Sequence, residues 1–193
     1  VGALTAFQAR PTLDIASFGD EPVAFILQQR CLPPELETPY QTLVEQLLPL
    51  IRQRWQEAGQ FTKLRLHGDC HPGNILWTEG GPHFVDFDDC RMGPAIQDLW
   101  MLLSGERHEQ QMQLGYLLDG YSEFADFDER ELWLIEPLRT LRMLHYAAWL
   151  ARRWDDPAFP ANFPWFNSQR YWQDHILALR EQQAALQEAP LRV

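Results

Sequence analysis

The sequence has very little positive charge from lysine: Lys63 is the single lysine, beside fifteen arginines. Acidic residues outnumber basic ones, 27 to 16, which gives a net charge of −11 at neutral pH. A general nucleic-acid-binding protein is excluded on this ground, because no basic surface is large enough to neutralise many phosphates. The hydrophobic content of 46% and charged content of 22% are ordinary for a globular protein.

Cysteine is also scarce. Cys31, Cys70 and Cys90 are widely spaced, odd in number and include no C-x-x-C pair. This pattern argues against a disulfide framework or a structural zinc site and favours a reducing, cytoplasmic environment. No apolar run is long enough to span a membrane, and no charged-then-apolar signal opens the chain, so no membrane association is expected. The first residue is Val1, and we expect the chain to be a fragment of a longer protein.

Helical spacing of apolar residues dominates the sequence. Residues 1–13, which contain Pro11, are expected to form a short helix or an irregular lead-in. Asp20 is expected to cap the first clear helix, and Gly59 to end the second. Residues 155–164 contain three prolines and are expected to form a loop. The predicted helices are 20–31, 38–59, 94–103, 107–123, 128–153 and 167–187.

Short strands are predicted only in the middle of the chain. Residues 62–66 alternate as a strand, and residues 74–77 and 83–87 form two more strands around a turn at 79–82. Residues 69–74 then form a loop, and the hairpin that follows carries Asp86 at its far end. The predicted fold is therefore α+β, mostly helical, with a short β-hairpin next to a polar loop.

Asp69, Asn74 and Asp86 are the strongest candidate functional residues. An Asp, an Asn five positions later and a second Asp beyond a hairpin have the spacing of a protein-kinase catalytic loop and its metal-binding Asp. Phosphoryl transfer to a hydroxyl requires a carboxylate that orients the acceptor and takes its proton, and Asp69 is the candidate base. By itself, an Asp in such a loop more often caps its own turn.

Asn74 and Asp86 are the candidate Mg²⁺ and nucleotide ligands. Mg²⁺ prefers hard oxygen donors and takes one or two protein groups together with phosphates and water. Asp86 stands between Val85 and Phe87 and is expected to be partly buried, where an unpaired carboxylate is costly. We therefore count Asp86 with Asp69 in the catalytic set.

Other polar residues in this stretch have open interpretations. His67 is predicted to bond the backbone around the loop, and Asp98 is predicted to do the same from an early helical position. Asp88 and Asp89 are either auxiliary metal residues or loop acids. The alternation of His67, Asp69 and His71 leaves open a transition-metal site and a hydrolase.

Two longer segments resemble a known family. LHGDCHPGNIL (66–76), and FVDFDD (84–89) with GP (93–94) and DL (98–99), resemble the two motifs of aminoglycoside phosphotransferases and choline kinases. QDLWMLL (97–103), residues 135–154 and residues 156–166 extend the resemblance to bacterial stress-response kinases of this superfamily.

The resemblance implies a protein-kinase-like fold, ATP and Mg²⁺ as cofactors, and Ser/Thr phosphorylation in the cytoplasm during stress. By position, Asp69 corresponds to the proton acceptor, and Asn74 and Asp86 to the Mg²⁺ ligands. The likeness identifies residues 1–193 as the C-terminal, catalytic lobe. No Gly-rich loop precedes Asp69, and Lys63 lies in the strand that enters the loop. The N-terminal ATP-gripping lobe is therefore expected to be absent, and the chain alone to be inactive.

Two further alternatives stay open beside the metal-dependent hydrolase. One is a small-molecule kinase of the same fold that acts on an aminoglycoside, choline or homoserine-like alcohol. The other is a non-catalytic pseudokinase module. The expected partners are ATP and a protein or small-molecule hydroxyl, without nucleic acid or membrane.

Overall fold

The structure is a computed structural model that describes residues 10–192. The chain divides into two compact units. Of the described residues, unit 1 comprises 10–13, 58–135 and 190–192, and unit 2 comprises 14–57 and 136–189. The lead-in predicted for residues 1–13 falls mostly outside the described residues.

All regular secondary structure in unit 2 is helical. A short π-helical turn, Ala16–Asp20, leads into the first regular helix. The α-helices of unit 2, numbered along the whole chain, are α1 Glu21–Gln28, α2 Pro34–Ala58, α5 Ile135–Arg152, α6 Ala158–Asn162 and α7 Gln169–Ala185. The last residue of α2 and the first residue of α5 belong to unit 1.

Helix α2 begins four residues before its predicted start. Pro34 occupies its first position, where a missing N–H is harmless, and Glu35 and Glu37 place negative charge in the first turn. Gly59, with φ +68°, follows its last residue, as predicted. Proline therefore opens this helix.

Two local predictions in unit 2 are wrong. The Asp20 side chain makes no capping bond. It pairs instead with Arg52, with 2.5 Å between Asp20 Oδ1 and Arg52 Nη2. Asp14 is the residue that accepts from the Ser17 backbone N–H, at 2.8 Å, so the helical segment starts earlier. Residues 155–164, which were expected to form a loop, contain the short helix α6. The first turn of a helix tolerates proline.

The core of unit 2 is built from apolar and aromatic side chains of α1, α2, α5 and α7. Trp172 and Tyr40 are its largest fully buried members, and their rings meet edge to face at 6.3 Å. Burying a large aromatic side chain contributes on the order of 2–3 kcal/mol. Further fully buried members are Ile26, Leu47, Ile51, Leu141 and Leu144.

Unit 1 contains the four strands that the structure describes between residues 10 and 192. Strand β1, Leu64–Leu66, pairs antiparallel with β4, Arg91–Gly93, and β2, Ile75–Thr78, pairs antiparallel with β3, Gly81–Phe84. Its helices are α3 Ile96–Trp100, α4 Arg107–Ser122 and a 3₁₀ segment, Glu129–Leu134.

Strands β1 and β3 are shorter than the predicted segments 62–66 and 83–87, whereas β2 has the predicted four residues and is shifted by one position from 74–77. Strand β1 begins at Leu64, so Lys63 precedes it. Strand β3 ends at Phe84, because Asp86 adopts φ +64°, a left-handed conformation that a β-ladder cannot accommodate. Asp86 therefore lies beyond the hairpin and not within its third strand.

Helix α4 begins at residue 107, as predicted, whereas two other predicted helices begin later. Helix α3 covers only the middle of the predicted 94–103 segment, and the helix predicted from residue 128 begins as a 3₁₀ segment, with Pro137 in the first turn of α5. The prediction of a mostly helical chain with a short β-hairpin is confirmed, whereas strand β4 and its pairing with β1 were not predicted. Among residues 10–192, no helix is long and apolar enough to cross a membrane.

Candidate phosphotransfer site

The β2–β3 hairpin brings two of the three candidate residues together. Its register pairs Ile75 with Phe84, and the next backbone bond runs from the Val85 N–H to the Asn74 carbonyl at 3.0 Å. Asp86 follows directly, so it adjoins Asn74 at the open end of the hairpin although twelve residues separate them in sequence. All these residues belong to unit 1.

Asn74 is tied to Asp69 within the loop. Its amide nitrogen donates to the Asp69 carbonyl oxygen at 2.9 Å and lies 3.5 Å from the Asp69 carboxylate Oδ2. Asn74 is buried and closes a 3₁₀ turn, Pro72–Asn74. With its nitrogen used in this way, its amide oxygen faces away from the Asp69 backbone and can serve as a ligand.

Asp98 holds the start of the loop, as predicted. Its two carboxylate oxygens accept from the backbone N–H groups of His67, at 2.7 Å, and Gly68, at 2.9 Å. Bonds from a carboxylate to backbone N–H groups are stronger than neutral ones. They fix the backbone directly before Asp69.

A second residue of α3 supports the same segment, and the sequence reading did not identify it. Gln97 is buried and donates from Nε2 to the Gly68 carbonyl at 2.9 Å, while its Oε1 accepts from the Trp100 indole at 3.1 Å. A buried amide needs hydrogen-bond partners. A glutamine next to Asp98 in an apolar helix was therefore the sequence signal that could have indicated this supporting role.

Gly68 lets two backbone segments approach closely. Its φ is +89°, and a Cβ at this position would overlap the carbonyl oxygen of Asp89. Only glycine accommodates both conditions. The loop that bears Asp69 is therefore packed directly against the segment that follows Asp86.

His67 has the structural role that was predicted. Its Nε2 lies 2.8 Å from the Val85 carbonyl oxygen, and its Nδ1 accepts from the Asp69 N–H at 3.4 Å. Its ring contacts Phe87 at 4.7 Å between centroids. Both ring nitrogens are thus engaged with backbone, and this arrangement does not favour His67 as a zinc ligand.

His71 lies closer to the candidate base. Its Nε2 is 3.5 Å from Asp69 Oδ2, and its Nδ1 accepts from the Gly73 N–H at 3.0 Å. No cluster of three or more His, Cys, Asp and Glu side chains suited to a metal is found within residues 10–192. The alternating His-x-Asp-x-His pattern is therefore not assembled into a three-ligand group.

Burial shapes the electrostatics around the loop. Burial raises the pKa of the Asp98 carboxyl, although the N–H groups of Gly68 and His67 oppose the shift. Burial, reinforced by the negative charges of Asp98 and Asp69, raises the pKa of the Cys70 thiol to about 11. Cys70 therefore stays a neutral, buried thiol rather than a nucleophile.

Asp86 differs from its expectation in one respect. Its side chain is exposed, not partly buried, as are those of Asp88 and Asp89. The reason is its left-handed conformation, which turns the chain out of the ladder at this point. An exposed carboxylate is a hard-oxygen donor of the kind that Mg²⁺ prefers, and its exposure leaves room for phosphate and water ligands.

Comparison with known proteins gives a consistent assignment. The family model described as "Phosphotransferase enzyme family" matches residues 2–133. Stress response kinase A from Escherichia coli (strain K12) is 46% identical over 192 residues, which is 100% of this chain and 58% of that protein. "Serine/threonine protein kinase RdoA" from Salmonella typhimurium (strain LT2) is 45% identical over the same extent.

The chain thus spans less than two thirds of the length of these curated relatives. The matched family segment contains every candidate residue of the site, from His67 to Asp98. On this evidence the chain belongs to the phosphotransferase enzyme family.

Proposed function

We propose that the whole protein is an ATP-dependent kinase that phosphorylates serine or threonine hydroxyls, and that this chain is its C-terminal, catalytic lobe. The contact between the Asn74 amide and Asp69 carries the proposal, because it joins the candidate base to a candidate metal ligand in one loop. A relative named as a serine/threonine protein kinase supports the substrate class.

In this proposal Asp69 orients the acceptor hydroxyl and takes its proton as the oxygen attacks the γ-phosphorus of ATP. A new O–P bond forms, the bond to the β,γ-bridging oxygen breaks, and ADP leaves. Asn74 and Asp86 would hold Mg²⁺, which would neutralise phosphate charge when bound. Asp98 and Gln97 are positioning residues, since their hydrogen bonds to the loop go to its backbone.

We further propose that the N-terminal part of the whole protein supplies the remaining nucleotide contacts. The hairpin next to Asp86 supports this proposal, because Leu76, Trp77, Phe84 and Phe87 are 52%, 77%, 47% and 53% exposed. Contiguous exposed apolar side chains mark an interaction or ligand-binding surface. The isolated chain should then have little or no kinase activity. Its three free cysteines are compatible with the cytoplasmic location that we propose.

The test uses the full-length protein with γ-labelled ATP, a degenerate serine/threonine peptide mixture and a parallel panel of aminoglycosides and amino alcohols. Asp69→Asn should lower kcat by about 10²- to 10⁴-fold, the usual contribution of a general base, with little change in Mg·ATP affinity. Asp86→Asn should instead weaken Mg·ATP binding. Asp155→Asn, an exposed carboxylate of unit 2, is the matched control.

Each alternative predicts a different result. Wild-type turnover in the Asp69→Asn protein would remove Asp69 as the base. Phosphorylation of an amino alcohol or aminoglycoside but of no peptide would favour the small-molecule kinase. Failure of the full-length protein to bind Mg·ATP would favour the pseudokinase module.

A further inference from the structure

Helix α4 in unit 1 and the two residues that follow it carry an exposed apolar stripe. Met112, Tyr116 and Phe124 are 58%, 77% and 89% exposed, and they recur at intervals of four or eight residues. Gly120 occupies the missing position, and a Cβ there would contact nothing within 4 Å. The only residue of α4 that is fully buried is Leu114, on the other side. We call Met112, Tyr116, Gly120 and Phe124 the α4 stripe.

Acidic residues lie along the same stripe. Asp119 and Glu123 fall between its members at helical spacing, and Asp126 follows shortly after. All three are exposed, and none forms an ion pair with another residue between 10 and 192. The nearest cation downstream, Arg130, is already paired with Asp128 at 2.7 Å. The stripe therefore has an uncompensated negative border.

The position of these acids on the helix is electrostatically unfavourable. Asp119 and Glu123 stand at the C-terminal end of α4, where the helix dipole is itself negative, and the last turn contains no basic residue. The opposite end is built in the favourable sense, with a reciprocal capping box between Glu106 and Glu109. A cation from outside the described chain would relieve the charge at the C-terminal end.

We propose that the α4 stripe is a docking surface for a partner protein that presents an apolar side chain flanked by lysine or arginine. The apolar anchor would lie over Tyr116 and the gap at Gly120, and the basic residues would meet Asp119 and Glu123. A second copy of this chain is disfavoured, because its net charge of −11 and its own acidic border would repel. The proposal is independent of the kinase assignment.

The probe is a fluorescein-labelled helical peptide with three leucines on one face and five arginines beside them. Its two controls are a scrambled peptide and a version with glutamate in place of arginine. Anisotropy titration against the purified chain should show saturable binding of the probe, weakened as salt rises. Tyr116→Ser combined with Glu123→Lys should raise the Kd at least tenfold.

Leu177→Ser combined with Glu181→Lys is the matched control, because it changes an exposed leucine and an exposed acid on α7 and should leave the Kd unchanged. Asp119→Asn with Glu123→Gln, which changes charge alone, should give an intermediate loss. Circular dichroism checks that all variants remain folded.

Several outcomes would overturn the proposal. They are the absence of saturable binding up to about 1 mM probe, equal binding of the scrambled peptide, and an equal loss in the Leu177 control. Sedimentation that shows a dimer broken by Tyr116→Ser would assign the stripe to a second copy instead. If the probe binds this chain but not the full-length protein, the α4 stripe would be assigned to a segment of the full-length protein instead.

Discussion

Units 1 and 2 use polar atoms in opposite ways. In unit 1 the half-buried Asp98 and the buried Gln97 are bonded to the loop that bears Asp69. In unit 2 the buried Tyr40 hydroxyl, Trp172 indole N–H and His175 Nε2 have no hydrogen-bond partner among the described residues. These polar groups of unit 1 therefore fix the backbone of the candidate site. Unit 2 is instead stabilised by aromatic packing, although these three buried polar atoms lack hydrogen-bond partners.

The largest expected effect concerns the close backbone approach in unit 1. Gly68→Ala should destabilise the chain by about 4 kcal/mol or more, because it combines a left-handed φ with overlap on the Asp89 carbonyl. The measurement is urea unfolding. Gly59→Ala is the control: its φ is +68° but a Cβ there meets nothing within 4 Å, so it should cost about 1 kcal/mol. Equal losses for both variants would mean that close approach at Gly68 has no special importance.

The next effect concerns pH and unit 2. Burial lowers the pKa of His175 to about 4, from 6.5 in its unperturbed state, so folding disfavours the charged ring. The stability is fully present above the unfolded pKa and is lost as pH falls toward about 4, by up to about 3 kcal/mol. Tyr40 and Tyr171 do not titrate in this range, since burial raises the pKa of each.

The check is urea unfolding at about pH 7.5 and about pH 4.5. His175→Leu should remove most of the additional acid sensitivity seen in the wild-type chain, because the leucine has no proton to bind. If the variant loses as much stability as the wild type over this interval, other groups are responsible and His175 is not.

The smallest expected effect concerns the anchor of the loop. Asp98→Asn should cost about 1–3 kcal/mol, because one backbone N–H of His67 or Gly68 would then face an amide donor. In the full-length protein it should also lower kcat without abolishing Mg·ATP binding. Asp155→Asn, exposed in unit 2, should stay within about 0.5 kcal/mol of the wild type. An Asp98→Asn protein with wild-type stability and turnover would contradict the positioning role.

The sequence was informative wherever local chemistry decides the structure. The hairpin, the end of α2 at Gly59 and the α4 segment all follow from turn residues and helical periodicity. The role of Asp98 was also predictable, because a carboxylate early in an apolar helix needs nearby donors. The catalytic and metal roles of Asp69, Asn74 and Asp86 stay predictions, although the fold places Asn74 next to both aspartates.

The errors arose where a tertiary contact or a backbone conformation outweighed local preference. Asp20 is a good N-cap residue, but Arg52, 32 residues away in sequence, holds its side chain. The exposure of Asp86 depends on its φ of +64°, which neighbouring residues do not predict. The contact of Gln97 with Gly68 spans 29 positions, so it is visible only once α3 is packed.

The bond from the Asn74 amide to the Asp69 carbonyl has a consequence for how this loop tolerates change in length. This bond closes a ring of backbone and side-chain atoms, and the number of residues between Asp69 and Asn74 sets the size of that ring. One inserted or deleted residue there would leave the amide without its acceptor, whereas the exposed turn at Glu79 and Gly80 could lengthen without disturbing it. The separation of these two residues is thus set by geometry, and other members with this loop should keep it while the hairpin tip varies.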